Sequence, residues 1–244
     1  MKKTHIQLIL AAFLLIRCEK QKDNQQDFLV INDKNNYTIL RFDTLLQGGY
    51  YDEKILKIDL DNDGITDFKI YTNIWGSPGL GTHPEILLMC LNTNAFIATT
   101  EHTDTSFLYK EYDTIGYDVY IKWIFNCKKI NPDATISCIL KNSDANYFYQ
   151  NDTLQSNFWS NDTIKLSSRS DSYPPLDDAQ KGDTTIWEST QSSYDCHMVP
   201  QNSTIYLAVK TVHEKNTYLG WIKVNILNNS TIYVFETATL KIGN

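Results

Sequence analysis

Apolar and polar residues alternate with a period of two in every strongly patterned segment of this chain. From residue 119 to 128 each odd-numbered position is apolar, whereas most even-numbered positions are polar or amphipathic. Alternate side chains of a strand point to opposite faces, so this pattern predicts a half-buried β-strand. Runs rich in β-branched and aromatic residues predict further strands over residues 37–46, 54–60, 67–74, 85–91 and 203–210.

Two turn signals join predicted strands into hairpins. Residues 131–134 contain an Asn-Pro-Asp turn, and folding the chain back at Pro132 would place Phe125 opposite Leu140. Near the C-terminus, a turn at Asn228-Asn229 would place Val224 opposite Tyr233 and Ile222 opposite Phe235.

The pattern predicts a fold without helices in the mature chain. No window after the first residues has the 3.6-residue period of an amphipathic helix. We therefore predict an all-β protein, an antiparallel β-sandwich or related sheet assembly. Residues 28–244 are expected to form a single domain, because no Pro/Gly-rich linker divides them. Within it, the segment near 142–200 is rich in Ser, Asp, Asn and Thr and is predicted to consist mainly of loops.

Aromatic residues scattered through this loop-rich segment are candidate ligand contacts. They include Tyr147, Tyr149, Trp159 and Trp187. Exposed aromatic faces stack on sugar rings and anchor protein partners, so these side chains would contact a glycan or a protein ligand. The alternative is that they pack in the core, where large aromatic side chains are usually buried.

The N-terminus has the composition of an export signal. Lys2 and Lys3 precede a short apolar run at residues 6–16. A helix needs about 20 apolar residues to span a bilayer, and no later stretch supplies them. We therefore expect no transmembrane helix in the mature protein.

The apolar run ends in Leu15-Ile16-Arg17-Cys18, which resembles the lipobox of bacterial lipoproteins. The resemblance implies that residues 1–17 are a cleaved signal peptide and that Cys18 carries the lipid, although Arg17 stands where that family prefers a small residue. An ordinary secretory cleavage site is the alternative, yet no small-x-small site follows the run. Residues 18–27 would then form the lipidated cysteine and a flexible polar tether. The expected location is the cell envelope, at the outer membrane, on its periplasmic face or the cell surface.

The charge balance argues against nucleic acid as a partner. Cleavage removes three basic residues and no acidic one from a balance of 22 Lys and Arg to 29 Asp and Glu, which leaves a net charge of about −10. An acidic surface lacks the basic stripe that phosphate binding requires. Attachment to the membrane would therefore depend on the lipid anchor.

The remaining cysteines are an even set in an exported chain. Cys90, Cys127, Cys138 and Cys196 allow two disulfides in three connectivities, with four free thiols as the alternative. The predicted hairpin at Pro132 would place Cys127 opposite Cys138, which leaves Cys90 to pair with Cys196.

The most specific motif is the acidic stretch at residues 59–67, DLDNDGITD. It matches the D-x-D-x-D-G-x-x-D form of calcium loops, in which alternate carboxylates converge on one hard cation and a glycine permits the turn. The predicted ligands are the side chains of Asp59, Asp61, Asp63 and Asp67 and the carbonyl of Ile65. The alternative is an acidic turn with solvated carboxylates.

The flanks of this motif are strands, and Ile70 occupies the position of the bidentate Glu of an EF-hand. The motif is therefore similar to the calcium loops of extracellular repeat and adhesion proteins. Together with the lipobox and the late strand at residues 218–224, it resembles lipoproteins of Bacteroidetes-like bacteria. That resemblance implies a secreted β protein with structural calcium and implies no activity.

Signals for catalysis are few. The chain has no GxSxG, HExxH or P-loop motif. A hydrolase acting on glycans would use His83 with Glu85 and His102, or scattered carboxylates such as Asp171, Asp177 or Asp178, and nothing in the sequence selects among them. We therefore predict a membrane-anchored extracytoplasmic binding or structural module stabilised by calcium, with a secreted hydrolase as the alternative.

Overall fold

A computed structural model describes residues 28–30, 37–77, 81–116, 118–126, 131–156, 158–172, 186–193 and 199–242. Its strands are β1 (Phe28–Val30), β2 (Thr38–Gln47), β3 (Lys54–Ile58), β4 (Phe68–Ser77), β5 (Gly81–Cys90), β6 (Ala95–Ile115), β7 (Asp118–Asn126), β8 (Thr135–Ala145), β9 (Tyr147–Phe148), β10 (Thr153–Gln155), β11 (Trp159–Ser160), β12 (Ile164–Ser172), β13 (Ile186–Ser193), β14 (Thr204–His213), β15 (Asn216–Asn228) and β16 (Thr231–Ile242). The described ranges contain no helix, so the predicted all-β class is confirmed. Accordingly, no helix in these ranges is long and apolar enough to cross a membrane.

The strands form two layers that share one long strand. The first layer has the order β2-β16-β15-β14, and the second has the order β7-β13-β12-β5-β4-β3. β6 pairs with β14 near its start and with β7 near its end, so it passes from one layer to the other. All of these neighbours are antiparallel except β13 and β7, which are parallel. The arrangement is a predominantly antiparallel β-sandwich assembly, as predicted.

The main hydrophobic core lies between the two layers. β14 contributes Ile205, Leu207 and Val209, which are fully buried against residues of the opposite layer such as Phe68 and Ile70 of β4. Residues between these positions on β14 point to the outer face, as a period of two requires. There Tyr206 and Ala208 join a second, smaller cluster with Trp221 of β15. The first layer is therefore packed on both faces.

The predicted hairpin around Pro132 is wrong. β7 and β8 both pair with β6, so that Phe125 lies opposite Leu108 and Leu140 lies opposite Asp104. The physical reason is the turn at Gly116, which adopts a left-handed φ of 66° and joins β6 to β7 directly. β8 then pairs with an earlier part of the same long strand.

This correction removes the geometric argument for a bond between Cys127 and Cys138. Cys138 lies in β8, opposite Ser106 of β6, and Cys127 lies outside the described residues. The bond itself stays a prediction from the even number of cysteines.

The C-terminal hairpin is confirmed, but its register differs from the predicted one. β15 and β16 pair with Val224 opposite Val234 and Ile222 opposite Thr237. The turn is one residue later than predicted, because Asn228 lies opposite Thr231 and register shifts interrupt the ladder. The observed register places two fully buried valines opposite each other, which the predicted pairing of Val224 with Tyr233 would not have done.

The segment near 142–200 contains more strand than predicted. β9, β10 and β11 are short, but β12 and β13 have nine and eight residues and are part of the second layer. β12 pairs with β5 from Ile164 opposite Leu88 to Ser172 opposite Gly81, with a register shift between Lys165 and Ser167.

Candidate metal centre

The acidic loop, residues 59–67, connects β3 to β4, which are neighbours in the second layer. The hairpin closes where Ile58 pairs with Phe68 and where the N–H of Asp67 donates to the carbonyl of Ile58 at 2.9 Å. Asn62 and Gly64 both have positive φ, 60° and 88°. Gly64 adopts this left-handed conformation without the steric cost of a side chain, so the chain turns sharply at that point.

Asp67 anchors the end of this loop inside the protein. The residue is only 2% exposed. Its carboxylate accepts hydrogen bonds from the N–H of Leu60 at 2.8 Å, the amide of Asn92 at 2.8 Å and the hydroxyl of Thr211 at 3.0 Å. An ionised carboxylate has about four lone-pair positions, so roughly one remains for another partner.

Three of the predicted ligands converge on one point. Asp59, Asp61 and Asp67 each offer an oxygen atom, and these atoms lie within 4.8 Å of one another. A second group, formed by Asp61, Asp63 and His213, satisfies the same criterion. Asp61 belongs to both groups and is the centre of the arrangement, so residues of this loop could hold a metal ion.

Burial and repulsion both act on Asp61. Its side chain is 2% exposed. Burial raises the pKa of this carboxyl above its ordinary value, and the negative charges of Asp67, Asp63 and Asp59 raise it further. Such a cluster is stabilised by any cation that neutralises it.

Backbone N–H groups of the loop point at its carboxylates. Asp59 accepts from the N–H of Asp63 at 3.2 Å and from that of Gly64 at 2.8 Å. Asp63 accepts from the N–H of Ile65 at 2.7 Å, and the side chain of Ile65 is exposed. These bonds hold the carboxylates in place before any ligand arrives.

His213 is a residue of this centre that the sequence did not predict. It is the last residue of β14, and its Nδ1 lies 2.8 Å from Asp63 and 3.6 Å from Asp61. The predicted strand over residues 203–210 ends three residues before His213, and no sequence pattern indicates what lies beside it. Only the packing of the two layers brings residue 213 to a loop at residue 63.

The loop is bound to the first layer as well as to its own. Thr239 of β16 donates to the carbonyl of Leu60 at 2.7 Å, and Thr211 of β14 donates to Asp67. A Cβ built on Gly220 of β15 would lie 3.3 Å from Leu60, which shows how closely the loop approaches that strand. The loop therefore contacts both layers of the sandwich.

Cys90 is a free thiol in the structure, and its Sγ lies 3.9 Å from the carbonyl oxygen of Ser160. Its bond to Cys196 stays a prediction. Burial raises the pKa of this thiol to about 12, with Asp162 and Asp67 adding to the effect. The thiol therefore stays protonated and is a poor nucleophile. Cys196 lies outside the described residues.

The aromatic candidates occupy different places. Tyr147 and Tyr149 are 36% and 48% exposed and form an edge-to-face pair with ring centroids 6.0 Å apart. Trp159 is half-buried, packs on the outer cluster of the first layer, and has Lys210 Nζ 4.3 Å from its ring centroid. Trp187 lies in β13, opposite Tyr120 of β7, and its side chain is outside the described set. A shared ligand surface formed by the four stays a prediction.

Of the catalytic candidates, only His83 and Glu85 have described side chains. His83 and Glu85 lie on β5, where Glu85 accepts a hydrogen bond from the indole of Trp75 at 2.7 Å. The side chain of His102 and residues 173–185 lie outside the described set.

Comparison with models of known protein families, with curated proteins and with solved structures found no match.

Proposed function

We propose that this protein is a lipid-anchored, extracytoplasmic binding or structural module whose sandwich is stabilised by calcium. The observation that carries the proposal is the acidic loop, whose carboxylates converge while the Asp67 carboxylate and the Leu60 carbonyl accept hydrogen bonds from two strands of the first layer. A cation there would hold the β3–β4 connection against β14 and β16. The ion would have a structural role and would take part in no reaction.

The donor atoms support calcium as the ion. Calcium takes six to eight oxygen ligands at about 2.3–2.6 Å in flexible geometry. Asp59, Asp61 and Asp67 form an all-oxygen group, with Asp63 and the carbonyl of Ile65 as the remaining protein ligands that we propose. The group that includes His213 contains a nitrogen atom, which suits a hard cation less well. Magnesium should bind poorly, because it requires a tight octahedral arrangement.

The loop should bind calcium weakly. It lacks the bidentate Glu of an EF-hand, and extracellular sites of this kind have dissociation constants on the order of 0.1–1 mM. With 1 mM calcium and a dissociation constant of about 0.1 mM, binding would stabilise the folded state by about 1.4 kcal/mol.

Removal of calcium is therefore expected to lower the melting temperature by about 3–6 °C. Scanning calorimetry of the protein, from residue 28 onward, in 1 mM calcium and in chelator measures this directly. The double variant Asp61→Ala with Asp63→Ala should show the same melting temperature in both buffers. Glu111→Ala with Asp113→Ala removes two exposed acids of β6 and should keep the wild-type calcium response. A wild-type protein that melts at the same temperature with and without calcium would argue against stabilisation of the fold by bound calcium.

The anchor is proposed from the lipobox-like residues 15–18 and the polar stretch that follows them. Two or more acyl chains are required for stable attachment to a membrane, and a lipidated Cys18 would supply them. In cells fed an alkyne fatty acid, the wild-type protein should be labelled and should sediment with membranes. Cys18→Ala should remain unlabelled, whereas Arg17→Gly should be processed at least as fast as the wild type. Equal labelling of the wild type and Cys18→Ala would refute the anchor.

A further inference from the structure

A cleft of about 660 Å³ lies beside β11, where that strand pairs with the start of β6. Its walls come from the start of β6 and from the chain around β11, residues 158–164. Aromatic side chains and polar groups share the lining, which includes Phe96, Glu101, Phe158, Trp159, Asn161 and Asp162. The volume lies within the roughly 300–1,000 Å³ range of small-ligand sites.

The aromatic wall is held in place by backbone pairing. β11 pairs with β6, so that Trp159 lies opposite Ala98, and the N–H of Thr99 donates to the carbonyl of Phe158 at 3.0 Å. The side chain of Phe158 is nevertheless 53% exposed. An apolar ring that is fixed through its backbone but left in water is available for a ligand.

The polar wall is also preorganised. Ser160 donates its hydroxyl hydrogen to Asp162 at 3.0 Å and accepts the N–H of Asp162 at 3.1 Å. This closes a tight turn that presents Asn161 and Asp162 to solvent, and Glu101 is exposed on the facing strand. The cleft thus combines ring faces with carboxylate and amide groups that accept and donate several hydrogen bonds.

We propose that this cleft binds a neutral saccharide, an inference that rests on the proposed binding role of the protein. Sugar rings present a C–H face that packs on aromatic rings and hydroxyl groups that donate to carboxylates. Phe158 and Trp159 supply the aromatic rings, and Glu101 and Asp162 supply the carboxylates. The two acidic groups disfavour sugars that carry carboxylates, since like charges repel in a partly desolvated cleft. Tyr147 and Tyr149 do not line this cleft.

Calorimetric titration of the protein, from residue 28 onward, tests the proposal. The probes are neutral oligosaccharides of glucose, mannose, xylose and N-acetylglucosamine, with oligogalacturonate as the acidic counterpart. At least one neutral probe should bind, and oligogalacturonate should not. Phe158→Ala should weaken that binding roughly tenfold, because the stacked ring is lost. Glu101→Gln should weaken it severalfold, because a charge-assisted hydrogen bond becomes a neutral one.

Tyr112→Ala is the matched control, because Tyr112 is a 65% exposed aromatic residue on the same strand, β6, outside the cleft lining. It should bind the neutral probe as the wild type does. Failure of every neutral probe to bind, or binding that neither Phe158→Ala nor Glu101→Gln weakens, would overturn the proposal. The melting temperature measures stabilisation by calcium separately. If calcium stabilises the protein but no sugar binds, the proposal for the cleft is rejected and the proposal for the acidic loop is not.

Discussion

Replacement of Asp67 by alanine is expected to lower the free energy of unfolding by roughly 2–4 kcal/mol, even without calcium. The buried carboxylate is the shared acceptor for Leu60, Asn92 and Thr211. Without it, donors in the interior lose their partner, and each unsatisfied group costs about 1–3 kcal/mol. Relief of the repulsion that Asp67 exerts on Asp61 offsets part of this loss.

Urea denaturation of Asp67→Ala in chelator measures that change. Asp63→Ala is the comparison, because Asp63 lies in the same loop but is exposed, and its loss should cost well under 1 kcal/mol in chelator. If Asp67→Ala is as stable as Asp63→Ala under these conditions, Asp67 is not the structural anchor that its hydrogen bonds indicate.

Gly220→Ala is expected to destabilise the protein by roughly 3 kcal/mol or more. A Cβ at this position would lie 2.2 Å from the carbonyl oxygen of Ala238 on the neighbouring strand β16, and backbone atoms cannot move away without breaking the ladder. The same Cβ would meet Leu60, so the substitution also pushes on the acidic loop.

Thermal and urea unfolding of Gly220→Ala should be compared with those of Gly116→Ala. An added Cβ at Gly116 meets no atom within 4 Å, so its only cost is the left-handed backbone, about 1 kcal/mol. Equal destabilisation by the two substitutions would show that β15 and β16 are not packed as closely as described. A lower calcium affinity in Gly220→Ala alone would link this strand to the loop.

The strands were predictable because their burial is periodic. β14 alternates between the two hydrophobic clusters, and its run of β-branched and aromatic residues predicts a strand at that position. The pairing of strands was less predictable. A turn signal at Pro132 is local and says nothing of β6, a strand of 21 residues that pairs with both β7 and β8.

The acidic loop could be found in the sequence, whereas its surroundings could not. Alternate carboxylates with a glycine at Gly64 indicate a turn that concentrates negative charge, and the structure has this turn. The hydrogen bonds to Thr211 and Thr239 and the contact of His213 join residues 144 to 179 positions apart. The different roles of Asp61, at the centre of the cluster, and Asp67, which anchors the loop, also depend on those long-range contacts.

Calorimetric titration of metal-free protein with calcium shows whether the acidic loop binds the ion. One binding event is expected, with a dissociation constant on the order of 0.1–1 mM. Heat of binding should be absent in the variant that carries Asp61→Ala and Asp63→Ala and retained in the one that carries Glu111→Ala and Asp113→Ala. Absence of any binding heat in the wild type up to about 10 mM calcium, well above the range of extracellular sites, would mean that the loop is an acidic turn and not a calcium site.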